Sequence, residues 1–403
     1  MRLATKATHQ QTRAINQGLV LRTIYDLGPI SRADIARATE LTRTSVGELV
    51  GDAIADGLVE EVGRGPSSGG KAPILVQIVD DARLVLGLDL GEQSFSGAIV
   101  DLRGGILRRI EVPVDGRDGT AALGAVERLV DELVAAVPAG RLLGIGVGTP
   151  GLVDTAGGEI RWAVNLDWQD LPLGRILTER TGLPAFVAND SRAAAMGEYL
   201  FDVGRRAPNL VAIKIGHGIG AGIVLGGELF EGDGFGAGEI GHTSVVDDGA
   251  ECRCGRFGCL ETVASSRAVV EQAIEAAAGN PGGVLARRLA AAKDGPSIDD
   301  VAAAVADGDE DARAIAAAAG RWLGRAVAAL IGTLDVRHVV LLGTVTHLGD
   351  PWLDAVRDEA GRRALTLLSS ETRIEVGGAA ADTVLLGASA LLITRELGLV
   401  PAR

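Results

Sequence analysis

One strand–turn–strand unit occurs twice in this 403-residue chain. Residues 84–90, Leu-Val-Leu-Gly-Leu-Asp-Leu, are apolar enough for a buried strand. Gly91-Glu-Gln-Ser94 turns, and residues 95–100, Phe-Ser-Gly-Ala-Ile-Val, return. The pattern restarts at 210–215, Leu-Val-Ala-Ile-Lys-Ile, passes through Gly216-His-Gly-Ile-Gly220 and leaves along 221–225. Laid on one another, Gly91 falls on Gly216 and Gly97 on Gly222, six residues apart in each unit. Two such units opening two halves indicate an internal duplication. Helical spacing at 121–137, 172–181 and 191–201 alternates with strands at 106–112, 142–147 and 184–188, which predicts an α/β fold with mixed sheets.

Two lobes with a cleft between them, each opened by a glycine turn, are the arrangement of actin-like sugar kinases (a duplicated ribonuclease H-like fold). There the turns hold nucleotide phosphates by backbone N–H groups. Beyond 265 the chain reads as alanine-rich helical segments to 331, broken at Asn280-Pro-Gly-Gly283 and Asp294-Gly-Pro296. Strands at 337–342 and 373–376 and helices at 352–368 and 384–397 follow. No apolar run is long enough to span a bilayer, and residues 1–16 lack a signal-peptide core.

The segment before the duplication has another texture. Residues 12–27 carry Ile15, Leu19, Ile24 and Leu27 at helical spacing, stopped by Gly28-Pro29. Ser31 is placed as an N-cap with Asp34 at the capping-box position, and Thr42 as the N-cap of a second short helix. Strands at 58–62 and 74–78 flank a polar turn. Helix, helix-turn-helix, then hairpin is the order of a winged helix-turn-helix. The boundary with the remainder falls at 80, giving domains 1–80 and 81–403. The whole chain has a net charge of −14, which excludes blanket electrostatic attachment to nucleic acid. Residues 1–50, with seven basic and four acidic side chains, are net +3. Candidate DNA contacts are Ser31 and Arg32, then Thr42, Arg43, Thr44 and Ser45 at the start of the second helix, with Arg64 and Lys71 on the wing.

All three cysteines, Cys252, Cys254 and Cys259, fall within eight positions, and His242 precedes the first by ten. Three thiolates and an imidazole are a standard closed set for structural zinc, here on a loop over 242–259. A single cysteine cluster without an even-numbered framework fits a reducing cytoplasm. Glu239 and Glu261 bracket this loop without being needed by the metal.

These residues resemble the ROK family (repressors, open reading frames, kinases) over essentially the whole chain. Gly238-Glu-Ile-Gly-His242 and Cys252-Arg-Cys254-Gly-Arg-Phe-Gly-Cys259-Leu-Glu261 look like its signature and structural zinc. Ala188-Asn-Asp-Ser-Arg192 is similar to its strand-to-helix segment bearing the catalytic base. Gly148-Thr-Pro-Gly151 and Asn165-Leu-Asp-Trp168 match its sugar-pocket loops. The resemblance implies that Gly148, Asn165, Asn189, Asp190, Glu239, His242 and Glu261 line a monosaccharide site, with Asp190 at the base position. His242 is then shared between sugar and zinc. Trp162 and Trp168 either wall this pocket or pack in the core. The winged helix resembles the family's regulator branch.

The elements expected to hold nucleotide depart from the kinase pattern. Asp89-Leu-Gly-Glu-Gln-Ser94 puts Glu92 where backbone meets polyphosphate, and a carboxylate there repels it. His217 replaces the usual threonine of the second turn, and Leu341-Leu-Gly-Thr-Val-Thr-His347 lacks the usual glycine run. Neither ATP nor Mg²⁺ is expected as a cofactor. The sequence therefore reads as a cytoplasmic, sugar-responsive regulator, a homodimer or homotetramer on a palindromic operator. The rival readings are an active sugar kinase with an appended DNA-binding domain, and a regulator that answers to a protein partner.

Overall fold

The computed structural model describes residues 9–66, 72–91, 93–201, 207–293, 295–378 and 382–399. Its first elements are α1 (His9–Leu27), β1 (Ile30–Ser31), α2 (Arg32–Thr39), α3 (Arg43–Ala55), β2 (Val59–Arg64) and β3 (Ile74–Ile78). The strands form a small antiparallel sheet ordered β1-β3-β2, the wing of a winged helix-turn-helix. Both short helices begin on hydroxyl caps. Ser31 Oγ accepts from the Asp34 N–H at 3.2 Å and Thr42 Oγ1 from that of Ser45 at 3.1 Å. The turn between them passes through Glu40 in the left-handed region, φ 56°. On α1 the buried residues are Val20, Leu21 and Ile24, whereas Ile15, Leu19 and Leu27 are exposed. Of the four residues that the spacing picks out, Ile24 faces inward and the other three do not. Contacts with α2, α3 and β3 turn the Val20–Ile24 side inward.

The chain divides into two compact units, and the head lies in the first: residues 1–149, 155–188 and 388–403. The body of this unit holds β4 (Leu84–Leu90), β5 (Ser94–Val100), β6 (Ile106–Pro113), α4 (Gly119–Ala135) and β7 (Leu142–Thr149). After β8 (Leu152–Asp154) come β9 (Glu159–Ala163), β10 (Trp168–Leu171), α5 (Leu173–Thr181) and β11 (Ala185–Asn189). The main sheet is ordered β11-β7-β4-β5-β6. One hydrophobic core joins Val20, Leu21, Ile24, Ile35, Val46 and Leu49 of the head to Val85 and Leu102 of the body and to Leu392, Ile393 and Leu399 near the C-terminus. Gly18 and Gly398 let α1 and the C-terminal segment approach backbone to backbone: a Cβ on Gly18 would lie 3.4 Å from the Gly398 Cα.

The second unit, residues 150–154 and 189–387, begins its main run with α6 (Asp190–Phe201), β12 (Leu210–Ile215), β13 (Ile219–Leu225) and β14 (Glu228–Leu229). Then come α7 (Glu261–Ala264), α8 (Ser266–Gly279), α9 (Val284–Ala291), α10 (Ile298–Ala306), α11 (Glu310–Leu334) and β15 (His338–Leu342). The chain ends on α12 (Asp350–Arg363), α13 (Thr366–Glu371), β16 (Arg373–Val376) and α14 (Thr383–Leu397). Its sheet is ordered β14-β13-β12-β15-β16, with β12 antiparallel to β13 and parallel to β15. β4 likewise runs antiparallel to β5 and parallel to β7, so the duplication holds in topology. Its register differs from the glycine alignment. Leu90 pairs with Phe95 but Ile215 with Ile219, so the second turn is one residue shorter. Gly97 therefore faces Leu88 while Gly222 faces Ala212, and the two glycines point to opposite faces of otherwise matching hairpins.

Among the described residues α11 alone is long and apolar enough to cross a membrane by length and composition. Its apolar face, Ala312, Ala316, Ala319, Leu323, Val327 and Ile331, is buried in the core of this unit. α14 starts in the second unit and ends in the first. Within the second unit it crosses α6 at two glycines: a Cβ on Gly387 would lie 1.6 Å from the Ala193 carbonyl oxygen, and one on Gly197 2.4 Å from that of Thr383.

Candidate functional site

The second unit gathers most of the polar residues singled out above. β11 runs into α6 at Asn189 and Asp190. Asn189 is buried. Its Oδ1 accepts from the N–H groups of Ser191 (3.0 Å) and Arg192 (3.3 Å), capping the helix, while Nδ2 donates to the Gly151 carbonyl at 3.0 Å. Asp190 Oδ1 accepts from Ser191 N–H at 2.7 Å and from its hydroxyl at 3.2 Å. Asp190 Oδ2 accepts from the Lys214 ammonium at 2.6 Å.

α6 comes this close to the sheet because β13 offers no side chains in its path. A Cβ on Gly220 would lie 2.3 Å from Ser191 Oγ, and one on Gly222 2.3 Å from the Ala195 Cβ. These glycines are required by helix packing. Gly218 in the turn makes room for Glu261, whose Oε2 accepts from Ile219 N–H at 3.2 Å. His217 is exposed on the same turn.

The Gly238-Glu-Ile-Gly-His242 run is laced to β13. Gly238 has φ +91°, and a Cβ there would lie 1.8 Å from the Ala221 carbonyl oxygen, whose own N–H donates to the Gly238 carbonyl at 2.8 Å. This fixes Glu239 and His242, both open to solvent. Protein packed around Glu239 at longer range still raises its pKa by desolvation; Asp190 and Glu261 add to the rise, and His242 and Arg192 oppose it. Arg192 is fully buried on α6. It donates through Nη2 to the Phe235 carbonyl, while Nε and Nη1 have no hydrogen-bond partner. Desolvation lowers its pKa against the pull of Glu231 and Glu239.

His242, Cys252, Cys254 and Cys259 bring one ligand atom each within 4.8 Å of one another. His242 Nδ1 lies 3.6 Å from Cys252 Sγ, and Cys254 Sγ 3.7 Å from Cys259 Sγ. Zn–S bonds of about 2.3 Å at tetrahedral angles put sulfurs about 3.7 Å apart, so the cage has the size zinc requires. With thiols alone, burial pushes Cys259 up to about 12, the neighbouring thiols adding to it, and burial also raises Cys252. Such crowded thiols ionise together only around a cation. Since Nδ1 faces the cysteines, Nε2 is the ring nitrogen left for a second partner.

Gly148 at the end of β7 and Asn165, exposed in a 3₁₀ turn (Val164–Leu166), belong to the first unit. Trp168 is buried there and donates to the Gly119 carbonyl at 2.8 Å, a packing role, whereas Trp162 is 52% exposed. In the head, Ser31 is buried in its cap and Arg32 pairs with Glu61 at 2.9 Å. Arg43 and Thr44 are exposed at the start of α3, Thr42 and Ser45 bond each other at 2.9 Å, and Arg64 is exposed at the end of β2. Lys71 and Glu92 lie outside the described residues. Sequence reasoning missed Lys214 and Arg192. The signal for Lys214 was a lone charge inside the apolar strand 210–215.

A winged helix-turn-helix joined to a duplicated sugar-kinase fold is the build of a transcription regulator. The chain belongs to the ROK family, whose model matches residues 85–395. It is similar to the xylose repressor of Caldicellulosiruptor bescii, 30% identical over 96% of this chain and 98% of that one. Among solved structures it resembles a ROK family transcriptional regulator described as a homolog of the E. coli MLC protein, with TM-score 0.85, 29% identity and coverage of 96% and 98%. It also resembles a ROK family glucokinase from Streptomyces griseus in complex with glucose and AMPPNP, with TM-score 0.67, 30% identity and coverage of 76% and 98%.

Proposed function

We propose that this chain is a cytoplasmic transcriptional repressor that binds operator DNA through residues 1–80 and a monosaccharide effector through residues 81–403. The observation that carries this is coverage. The regulator structure and the xylose repressor match 96% of the chain, winged head included, whereas the glucokinase matches 76%. In this reading Asn189, Asp190, Glu239, His242 and Glu261 bind sugar hydroxyls, joined by Gly148 and Asn165. Carboxylates accept from vicinal hydroxyls and an amide both donates and accepts. Zinc held by His242, Cys252, Cys254 and Cys259 supplies rigidity to the loop carrying His242. Arg43 and Thr44 reach DNA from α3, Thr42 and Ser45 order its N-terminus, and Arg32, Arg64 and Lys71 approach the backbone. Two copies or four on one palindromic site place the heads at half-site spacing. Sugar shifts operator affinity only through its different affinity for the two conformations.

The test is operator binding titrated with D-xylose, D-glucose and N-acetylglucosamine. A shift in operator affinity with at least one is expected, and none with any sugar overturns the effector reading. The glucokinase likeness favours one rival, a working kinase. Steady ADP release with ATP and any of these sugars would establish that instead.

A further inference from the structure

The geometry points to Lys214 as a working residue of the effector site: the cation that holds the Asp190 carboxylate in place as an acceptor for a sugar hydroxyl. The inference rests on the sugar reading above and names a residue that reading does not include. Here Asp190 Oδ2 takes the Lys214 ammonium at 2.6 Å and Oδ1 takes the Ser191 N–H and hydroxyl. Both oxygens are held by the protein, the stronger partner is a full positive charge, and a lone pair on Oδ2 is left for a hydroxyl.

An ammonium at this distance holds the carboxylate in one orientation through a charge-assisted hydrogen bond, so its free lone pair is aimed at one place. The pair is placed by backbone. Lys214 faces Gly220 across the β12–β13 ladder, and Gly220 is the position that admits Ser191 and with it the first turn of α6. Both side chains retain access to solvent, at 29% for Lys214 and 15% for Asp190, so the pair can be met by a ligand. Around it stand Glu239 and Glu261, acceptors that must also be met by hydroxyl donors. A polyhydroxyl ligand fits this set, because its hydroxyls donate to carboxylates. The pair thus makes Asp190 a reader of hydroxyl position where a kinase has a base.

The experiment compares the full-length protein with Lys214→Met, which keeps the stem and removes the charge, and Lys214→Arg, which keeps the charge. Calorimetry uses whichever of D-xylose, D-glucose and N-acetylglucosamine binds tightest, together with its monodeoxy analogues. Melting temperature and zinc content serve as folding checks. For the unsubstituted protein one deoxy analogue is expected to bind roughly tenfold more weakly than its parent, the worth of a hydrogen bond to a charged group. In Lys214→Met that one penalty shrinks to within about threefold while the other analogues keep theirs, and Lys214→Arg restores it. A merely structural lysine lowers all affinities together. Uniform weakening in Lys214→Met, or no weakening at all, overturns the proposal. If the unsubstituted protein binds no sugar, the effector reading falls and this one with it, a result distinct from sugar bound alike by both proteins.

Discussion

His242 turns Nδ1 to the cysteines and is fixed by a motif bonded to β13. His242→Ala is therefore expected to lose zinc and sugar together, measured by metal analysis and calorimetry on one preparation. Glu239→Gln keeps full zinc and loses sugar affinity by roughly tenfold. Zinc and sugar responding independently in His242→Ala would separate the two roles. Glu359 offers a cleaner electrostatic test far from that loop. It is buried and accepts from Arg363, Arg325 and Arg362 at 2.5, 3.2 and 2.9 Å. The Arg363 hydrogen bond holds its pKa below the ordinary 4.5, against desolvation. A depressed carboxyl stabilises the fold above its unfolded value and loses that contribution as pH falls through the folded one. Glu359→Gln should cost roughly 1–3 kcal/mol at pH 7 in urea melts, and the gap to the unsubstituted protein should narrow as the pH falls below the ordinary 4.5. The cysteine cage was legible at this scale because its ligands are close in sequence. Lys214 and Asp190, 24 positions apart, are joined only by packing.

At the level of elements, glycine decides where helices meet sheets and each other. The crossing of α14 over α6 leaves no room for a methyl at Gly387. Gly387→Ala should destabilise by about 3 kcal/mol or more in thermal or denaturant melts, since backbone atoms cannot move aside as a side chain does. Gly222→Ala should follow it, with Ala195 and the Ser191 carbonyl in the way. Gly182, with φ +72° and nothing within 4 Å of a Cβ, should cost less. Alternation of apolar and polar residues announced the strands and most helices, because period reports burial. It did not announce the register of the duplicated hairpins, since turn length is set by local geometry. Nor did it choose the face of α1, where Ile15 and Val20 look equally apolar and only the neighbours distinguish them.

For the molecule as a whole, the boundary read at 80 follows the change in sequence texture, but the packing does not stop there. Leu392, Ile393 and Leu399 share a core with Val20, Leu21 and Ile24. A fragment starting at residue 81 uncovers those C-terminal side chains, each worth about 1.5–3 kcal/mol buried. It should melt lower than the full chain and scatter light on concentration. Equal melting temperatures would show that the head contributes nothing to the body. Composition could not disclose this dependence, because contact between the first helix and the last is a property of topology alone.

That contact also sets an order of events during synthesis. Domains usually fold as they leave the ribosome, N-terminal first. Here part of the hydrophobic core around α1 comes from residues some 370 positions after Val20. The head emerges well before that part of its core is made. Until Leu392 and Leu399 arrive, Val85 and Leu102 cover its apolar face only in part, so the nascent head waits for the far end of this core.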